Sequence, residues 1–534
     1  MRNLFFISSF LGLAAVSFLT FLWTPFCALF LFVVPPVALG LHDAFQTKKA
    51  ILRNFPLLGH FRYLFELIRP EIQQYFIESE TDGAPVPRET RSVVYQRAKQ
   101  QTDTLPFGTQ RNVYAEGYEW IGHSLSPQHL KIEDLRVSIG GTLCKKPYSA
   151  SILNISAMSY GALSKNAVQA LNGGAKLGGF YHNTGEGGVS PYHLQEGGDL
   201  IWQIGTGYFG CRTADGNFSA QDFKVMAQRE NIKMIEIKLS QGAKPSHGGI
   251  LPAAKITPEI IAIRKVEAGK DVISPPAHKA FSNPVGLLNF IQELRDLSGG
   301  KPVGFKLCIG QASEFMSICK AMIETGLRPD FITVDGGEGG TGAAPLEFSN
   351  HVGAPLEEGL TLVDNILRGF DLRKEIRVIA SGKVFTGFQI FSRLALGADL
   401  CNTARGMMLA LGCIQARQCN TNHCPTGVAT SDPKLVHGLV PSDKKVRVYN
   451  YHKHTVLAFS ELVGAAGLKH TKEIQGHHIH RRVSGTQVKT YSELFPRVET
   501  ATFLKGDIPL AYQQDFNRSS SASFQNPMGF QHAA

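Results

Sequence analysis

The stretch IRVIASGKVFTGFQIFSRLALGADLCNT, residues 376–403, contains two short apolar runs on either side of a helical stretch. The runs IRVIASG (376–382) and ADLCNT (398–403) have the length of buried strands. Parallel strands need a crossover connection of about a dozen residues or more, and this connection is usually a helix. The stretch therefore predicts a strand, a helix and a second parallel strand, and hence an α/β fold.

Six further runs of the same kind precede this stretch. They are ILNIS (152–156), GFYHN (179–183), LIWQIG (200–205), MIEIKL (234–239), PVGFKL (302–307) and DFITVDG (330–336). Eight strand candidates that alternate with helical stretches predict a (β/α)8 TIM barrel. A doubly wound open sheet is the alternative that this pattern leaves open.

Local composition and patterning divide the chain of 534 residues into four parts. Residues 1–41 are an apolar segment, and residues 42–150 are mixed and aromatic, which indicates a linker and a packing subdomain. Residues 151–470 hold the barrel, together with a cysteine-containing loop at 413–424. Residues 471–534 form an extension with a Ser- and Gln-containing end, and we expect this extension to be partly disordered.

The first 41 residues predict a transmembrane hairpin. Residues 3–41 carry no charged side chain, and Leu4–Trp23 is long enough to cross the hydrocarbon core of a bilayer. Pro25 ends this run, and residues 26–41 form a second, shorter one. A signal peptide is the alternative, but its apolar core is shorter and is followed by a small-residue cleavage site. Basic residues on both flanks predict that both ends lie on the cytoplasmic side of the inner membrane.

The overall composition is that of a globular protein with a basic surface. Hydrophobic residues make up 43% of the chain, charged residues make up 18%, and the net charge is +10. A basic surface attracts anionic lipid, nucleic acid or acidic proteins. Because the positive charges form no dense Lys/Arg block, we do not expect the chain to bind nucleic acid.

Three of the nine cysteines lie close together, in the run CIQARQCNTNHCPTG at 413–427. Cys413, Cys419 and Cys424 have the spacing C-x5-C-x4-C, whereas a secreted disulfide scaffold is shorter and more evenly stapled. Three thiolates without a close fourth favour a three-iron cluster. A four-iron cluster with a distant ligand, a zinc site with His423 as fourth ligand, and three packed thiols stay open.

Two glycine-rich loops, GTGYFG (205–210) and GEGGTG (337–342), match the dinucleotide pattern G-x-G-x-x-G. Neither has the βαβ surroundings of a nicotinamide site, so we assign none. A barrel more often holds phosphate through backbone N–H groups after its last strands. The candidates for this role are Gly382, Lys383, Ala404, Arg405 and Gly406. Plain tight turns are the alternative.

Charged residues at the strand ends predict a site for anions. Lys238 and Lys306 end apolar strand candidates, where a lysine is costly unless it is paired with an anion. Such a cation beside a reduced flavin would stabilise the negative charge of the ring. Lys244 and Arg264 are two further cations, about the number that a dicarboxylate needs. Glu186 could hold or exchange a proton, and surface ion pairs are the alternative for all five residues.

Six motifs then occur in a fixed order. They are SAMSYGALS (156–164), NTGEGG (183–188), IKLSQGAKP (237–245), ISPPAH (273–278), GGTGAAP (339–345) and ALGCIQARQCNTNHCPTGVAT (410–430). With these motifs the chain resembles the synthase domain of glutamate synthase over about residues 150–435. The resemblance implies an FMN-binding (β/α)8 barrel with a 3Fe-4S cluster. It also implies reduction of 2-iminoglutarate, made from 2-oxoglutarate and ammonia, to L-glutamate.

The resemblance assigns roles to particular residues. It implies cofactor contacts at Ala157, Met158, Ser159, Lys238, Lys306, Gly339, Gly340, Ser381, Gly382, Lys383, Ala404 and Arg405. It implies catalytic and substrate roles for Glu186, Lys244 and Arg264. It implies that Cys413, Cys419 and Cys424 ligate the cluster.

The chain also departs from the family pattern. SHGGILPA at 246–253 stands where GEGGQLPG is usual, so that His247 replaces a glutamate and Ile250 replaces a glutamine expected at the substrate. ISPPAHKA at 273–280 lacks the usual pair of histidines. The resemblance does not include the glutaminase domain with which a full glutamate synthase begins. We therefore expect a stand-alone, membrane-anchored member of the family that uses free ammonia or a partner glutaminase.

The sequence supports one function and two alternatives. Electrons from a separate donor, a ferredoxin or an NAD(P)H-oxidising flavoprotein, would pass through the cluster to FMN and reduce the imino acid. Lys244 and Arg264 would hold its carboxylates, and Glu186 would assist proton transfer. The first alternative, motivated by Ile250, is reductive amination of a related 2-oxo acid or with a substituted amine. The second is a membrane-bound flavin and iron–sulfur electron-transfer component, which would need no cations for a dicarboxylate.

Overall fold

The computed structural model describes residues 1–267 and 269–525, so the end of the predicted tail, residues 526–534, lies outside the described residues. The chain separates into two compact units, Met1–Arg88 and Glu89–Ala534. This boundary falls inside the segment 42–150 that the sequence indicates as a linker and packing subdomain. Each unit is described by itself.

Eight parallel strands form a closed barrel in the larger unit. They are β1 (Leu153–Ile155), β2 (His182–Asn183), β3 (Leu200–Ile204), β4 (Ile232–Lys238), β5 (Val303–Leu307), β6 (Phe331–Asp335), β7 (Arg377–Ser381) and β8 (Leu400–Thr403). Each strand pairs with the next one in chain order, and β8 closes the barrel on β1. The TIM barrel is therefore confirmed, with a strand in each of the eight predicted positions. Its closure excludes the open doubly wound sheet.

Helices follow the strands and cover the outside of the barrel, which leaves the strands buried on both faces. The longer ones are Lys165–Gly178, Ala220–Ala227, Pro284–Leu297, Ala312–Thr325, Leu356–Gly369, Gly387–Ala395, Arg405–Leu411 and Pro441–Ala465. Capping side chains start several of them. Ser164 accepts a hydrogen bond from the backbone N–H of Ala167, and Thr386 forms a capping box with Gln389.

A long excursion, residues 239–283, leaves the barrel at the carboxyl end of β4. It contains a small antiparallel pair, Ile250–Leu251 with Val272–Ile273, and the helix Pro258–Arg264. The next barrel helix starts only at Pro284. The excursion therefore lies at the end of the barrel where TIM-barrel enzymes carry their active sites. It was not predicted from the sequence.

Segments before and after the barrel pair with each other. Strand Ile479–Arg482 lies between Glu119–Ile121 and Val488–Thr490 in a three-stranded antiparallel sheet. A separate hairpin pairs Arg136–Ile139 with Tyr148–Ser151, and the helix Arg88–Ala98 lies near the start of the unit.

The described part of the C-terminal extension packs on the barrel helices. Phe503 contacts Phe370 edge to face with ring centroids 5.3 Å apart, and Lys320 Nζ donates to the carbonyl of Phe516 at 2.7 Å. Helix Leu510–Arg518 lies in this part. Residues 471–525 thus have defined structure up to the point where the description of the extension ends.

The smaller unit consists of helices. Arg2–Leu22 and Thr24–Phe45 are long and apolar enough to cross a membrane by length and composition, although a signal sequence or a buried core helix can pass the same test. The second segment joins a 3-10 turn, Thr24–Leu29, to the α-helix Phe30–Phe45. It extends four residues beyond the predicted end at Leu41. The helices Ala50–Asn54 and Gly59–Ile72 and a π-turn at Gln73–Ile77 follow.

Candidate active site

Glu186 lies in the loop after β2, at the carboxyl end of the barrel strands. Lys238, the last residue of β4, places its Nζ 2.5 Å from Glu186 Oε1. Burial alone would raise the pKa of Glu186, but the charge of Lys238 and, more weakly, those of Lys244 and Arg264 hold it below its usual value. Lys244 and Arg264 both come from the excursion after β4. The structure therefore brings the three predicted catalytic residues together around Lys238.

The cations of this site have few partners. Lys244 Nζ donates to the carbonyl of Ala343 at 3.1 Å, and Arg264 Nη2 donates to the carbonyl of Tyr160 at 2.9 Å. The Nε of Arg264 is buried and has no hydrogen-bond partner among the described residues. Burial lowers the pKa of Lys244 to about 8 and that of Arg264 to about 10. Three cations thus surround one carboxylate, so the positive charges exceed the negative charge by two. A ligand with two negative charges would neutralise this excess.

The side chain of Glu186 packs closely against two glycines. A Cβ on Gly249 would lie 2.5 Å from Glu186 Oε1, and a Cβ on Gly205 would lie 2.7 Å from Glu186 Cβ. Gly249 belongs to SHGGILPA, the segment in which the sequence departs from the family pattern. The departure therefore lies beside the candidate catalytic carboxylate.

The loop after β1 contacts the two glycines that flank Glu186 in the chain. A Cβ on Gly185 would meet the backbone N of Ser159 at 2.6 Å, and one on Gly187 would meet the Cβ of Ser159 at 2.9 Å. Of the predicted cofactor-binding residues, Met158 and Ser159 therefore pack against the Glu186 loop, and Ala157 directly precedes them in the chain.

Lys306 is a further cation at the carboxyl end of the barrel, next to Lys238. It pairs in register with Lys238 on the neighbouring strand, so that both lysines lie at the β4–β5 edge. Lys306 Nζ is 3.3 Å from Asp335 Oδ2, and the same oxygen accepts a hydrogen bond from the backbone N–H of Gly242 at 2.8 Å. Lys306 thus has a carboxylate partner of its own, which the sequence did not identify.

The predicted phosphate residues gather where β7 and β8 end. Ser381 Oγ lies 3.1 Å from Ser156 Oγ, and Gly382 and Lys383 both have positive φ. Arg405 follows Ala404 and starts the next helix. Gly339 and Gly340 bring the GGTG loop against it, since a Cβ on Gly340 would collide with the guanidinium of Arg405.

Two cations in this loop cluster stand without an acidic partner. Burial and the charge of Arg405 lower the pKa of Lys383, and burial lowers the pKa of Arg405. Within the described ranges neither residue forms a salt bridge, although both lie in the field of more distant carboxylates. Two such cations beside strand-end glycines fit a phosphate, and hence a phosphate-bearing cofactor such as FMN.

The three clustered cysteines lie in the loop after the helix Arg405–Leu411. Burial alone would raise the pKa of Cys424, but hydrogen bonds from the Thr426 hydroxyl and from backbone N–H groups lower it. Burial raises the pKa of Cys413 and Cys419. His423 is exposed whereas Cys424 is buried, which weakens the zinc interpretation.

The surroundings of the cysteines suit a thiolate cluster in their chemistry. Cys419 lies within the electrostatic range of the buried Lys255 and the half-buried Arg405, which would balance the negative charge of bound thiolates. Among residues 1–267 and 269–525, no three or more His, Cys, Asp and Glu side chains are arranged to hold a metal ion. The iron–sulfur cluster therefore stays a prediction.

The sequence missed a buried pair that supports Lys238. The Tyr208 hydroxyl accepts hydrogen bonds from the backbone N–H groups of Lys279 and Ala280, each at 3.0 Å. Its own proton therefore goes to His278 Nδ1 at 3.2 Å, and Nε2–H of His278 donates to the Lys238 carbonyl at 2.9 Å. Burial lowers the pKa of His278 to about 4, so the imidazole is neutral. Both residues lie in motifs singled out above, but 70 positions separate them.

A second missed feature is the buried carboxylate of Glu236 inside the barrel. Asn183 and Gln203 donate to its Oε1 at 2.8 and 2.7 Å, and Thr333 donates to its Oε2 at 2.6 Å. Strands β2, β3, β4 and β6 each contribute one of these residues. A charged residue in the centre of the apolar run MIEIKL was the available signal. The network holds Asn183, which leads into the Glu186 loop.

Residues 111–469 match the family model described as the conserved region in glutamate synthase. The chain is 39% identical over 487 residues to the glutamate synthase large subunit-like protein YerD of Bacillus subtilis (strain 168), with 83% of this chain and 92% of that protein covered. It is 33% identical over 373 residues to a protein of Methanocaldococcus jannaschii named archaeal glutamate synthase (NADPH), with 70% and 69% covered. A solved structure of a mutant flavocytochrome b2 with pyruvate bound overlaps 83% of this chain and 91% of its own, at 12% identity and a TM-score of 0.38.

Proposed function

This chain belongs to the glutamate synthase family, and we propose that it reduces 2-iminoglutarate, formed from 2-oxoglutarate and ammonia, to L-glutamate. The observation that carries the proposal is the group of three buried cations around Glu186. A dicarboxylate would neutralise the surplus charge of this group, whereas a pure electron carrier has no use for it.

Each charged side chain of this site has a separate role in the proposed reaction. Lys244 and Arg264 would bind the two carboxylates of the substrate, since both carry N–H groups without an acidic partner at hydrogen-bonding distance. Glu186 would hold a proton near the nitrogen of the substrate and release it as the amine forms. Its ion pair with Lys238 keeps Glu186 ionised before the substrate binds, so the proton that it later returns to the substrate nitrogen would first be taken from ammonium, which releases ammonia to attack the 2-oxo acid.

Two cofactors complete the proposal. When bound, FMN supplies the electrons that reduce the imino carbon, and a 3Fe-4S cluster relays electrons to FMN. Lys383 and Arg405 would hold the phosphate of FMN, and the row formed by Lys238 and Lys306 would balance the negative charge of its reduced ring. The other contacts would come from Ala157–Ser159, Gly339, Gly340, Ser381, Gly382 and Ala404, and Cys413, Cys419 and Cys424 would ligate the cluster.

The source of electrons and ammonia lies outside this chain in our proposal. The archaeal relative carries NADPH in its name. Here neither glycine-rich loop opens directly into a helix, so a ferredoxin or an NAD(P)H-oxidising flavoprotein would deliver the electrons. Ammonia would be free or would come from a partner glutaminase.

An anaerobic assay tests the reaction. Purified protein with 2-oxoglutarate, ammonium and a chemical reductant should form L-glutamate, and omission of any of the three should abolish it. The same preparation should contain about one FMN and about three irons per chain, if the residues above hold both groups. Zinc in place of iron would contradict the cluster, and the absence of glutamate formation would contradict the reaction.

We further propose that Arg2–Leu22 and Thr24–Phe45 cross the inner membrane as a hairpin, with the barrel in the cytoplasm. Their length and apolar composition support a crossing. The full chain should stay in the membrane pellet after alkaline carbonate extraction. Its intact mass should include residues 1–45, whereas cleavage of this segment would identify a signal peptide.

One observation favours a second candidate, reductive amination of a related 2-oxo acid or with a substituted amine. SHGGILPA contacts Glu186 through Gly249, and the same segment holds His247 and Ile250. A change beside the catalytic carboxylate would alter the shape of the substrate pocket. A screen of 2-oxo acids and amines separates the two candidate functions. Glutamate formation requires the highest kcat/KM with 2-oxoglutarate and ammonia, and the second candidate requires a higher value with another 2-oxo acid or amine.

A further inference from the structure

The helix Gly59–Ile72 in the smaller unit presents an apolar stripe that is exposed at Phe61, Leu64 and Phe65 and half-buried at Ile68 and Ile72. Phe61, Leu64, Phe65, Ile68 and Ile72 follow the spacing i, i+3, i+4, i+7 and i+11, which places them on one face of the helix. Phe61 is 56% exposed and Phe65 is 59% exposed. A globular protein normally buries such a stripe against its own core.

The apolar surface continues beyond the helix. Tyr75, Phe76 and Ile77 follow in a π-turn, and Phe76 is 84% exposed. Arg62 and Glu66 lie on one flank of the stripe and form an exposed i,i+4 pair, whereas Leu67, which is 74% exposed, lies off the stripe on the other flank. The helix thus has a charged flank beside its aromatic and aliphatic stripe.

The charge of this region is positive. Residues 46–77 contain five Lys or Arg residues and two Glu residues, a net charge of +3. The basic residues are Lys48, Lys49, Arg53, Arg62 and Arg69. Anionic lipid attracts such a segment, and its apolar face can then enter the boundary between headgroups and acyl chains.

A buried contact fixes where this helix starts. His60 Nε2 lies 2.8 Å from Asp43 Oδ2, and the same carboxylate oxygen accepts the backbone N–H of Leu57 at 3.2 Å. Asp43 lies in the last turn of the apolar segment Thr24–Phe45. The amphipathic helix therefore begins beside the end of a segment that is apolar enough to cross a bilayer.

We propose that residues 59–77 form an interfacial segment that lies in the surface of an anionic bilayer, as an anchor additional to the two apolar N-terminal helices. A second copy of the chain is the competing occupant of the stripe. The bilayer fits better because the helix begins beside the end of an apolar segment. Residues 46–58, which lead into the helix, also carry Lys48, Lys49 and Arg53 without an acidic residue. The proposal does not depend on the reaction that the barrel performs.

Indole quenching by brominated lipid tests the position of the helix. The full chain carries Trp23→Phe to remove the tryptophan of the apolar segments, and Phe65→Trp or Glu66→Trp adds a probe on one face of the helix or the other. Both variants are reconstituted into nanodiscs with lipids brominated in the acyl chain, and the parent is subtracted. We expect Phe65→Trp fluorescence to be quenched at least about twofold more strongly than Glu66→Trp fluorescence, because acyl chains lie on the apolar side of an interfacial helix.

Each alternative outcome has a definite meaning. Equal quenching of the two probes, or failure of the chain to enter nanodiscs, would overturn the proposal. Shielding of the Phe65→Trp indole from aqueous acrylamide without quenching by brominated lipid would assign the stripe to a second copy or another protein. The excess quenching should also decrease in purely zwitterionic nanodiscs, and no dependence on anionic lipid would overturn the electrostatic part. Equal circular dichroism spectra of both variants would exclude unfolding as the cause.

Discussion

Arg295 and Arg264 are both buried guanidinium groups, but they lie at opposite ends of the barrel strands. Arg295 lies near the residue that precedes β6, and its Nε and Nη2 donate to Asp330 Oδ2 at 3.2 and 3.0 Å. Asp330 also accepts the backbone N–H groups of Val303 and Gly141. Arg264, in the excursion beyond β4, has one carbonyl partner at hydrogen-bonding distance and leaves its Nε without one.

The difference separates a structural charge from a binding charge. At the amino end of the strands, both oxygens of Asp330 accept hydrogen bonds from groups within the protein. At the carboxyl end, the charges are buried but incompletely paired, which costs stability unless a ligand compensates for it. Sites that bind charged ligands retain such incomplete pairing, and the following predictions test whether it distinguishes the two ends.

The largest expected effect is on stability at the amino end. Arg295→Ala should lower the free energy of unfolding by about 3–5 kcal/mol, because it leaves Asp330 buried without its charged partner. Denaturant titration of the detergent-solubilised chain measures this loss. Arg264→Ala should cost far less stability, since no buried acid loses its ion-pair partner. Equal destabilisation by both changes would remove the proposed distinction.

The next effect is on substrate at the carboxyl end. Arg264→Ala should lower kcat/KM for the 2-oxo acid by about 2–4 kcal/mol in transition-state free energy, because a desolvated carboxylate loses its partner. The FMN content should not change. Lys265→Ala is the matched control, because Lys265 is the next residue in the chain and its exposed side chain pairs with Asp222 at 2.9 Å. Its loss should change the transition-state free energy by less than about 1 kcal/mol. A similar loss in both variants would make Arg264 a structural residue.

The sequence predicted the barrel well because buried parallel strands are continuous apolar runs that can be recognised one at a time. It also located Lys238 and Lys306, since a lysine at the end of such a run is conspicuous. The partners of these lysines were not found in the same way. Asp335 ends a different strand, and His278 meets Tyr208 only through the folded excursion. Pairing between distant segments depends on the closed barrel, and no local pattern encodes it.

At the carboxyl end of the strands, a smaller effect should distinguish the role of Lys306 from that of Arg264. Lys306→Ala should weaken the retention of FMN or lower its reduction potential, because a cation near the reduced ring is lost. The change should be about 1–2 kcal/mol, since Asp335 already neutralises part of the charge of Lys306. Flavin content and a spectroscopic redox titration measure it. An unchanged flavin with weaker binding of the 2-oxo acid would instead assign Lys306 to the substrate.

The smallest effect, about twofold at pH 8, is the titration of Lys244, whose pKa burial lowers to about 8. Its ammonium form binds a carboxylate, so kcat/KM for the 2-oxo acid should fall above about pH 8 and approach about tenfold per pH unit, at a fixed concentration of free ammonia. The stability contribution has the opposite sign. The folded pKa lies below the unfolded value of 10.5, so the folded protein binds fewer protons between these values, and its stability should rise with pH in that window. Lys244→Arg should abolish the decline in kcat/KM at high pH, because a guanidinium stays protonated there. A decline that persists in this variant would show that another group controls binding and that the charge of Lys244 is structural, like that of Arg295.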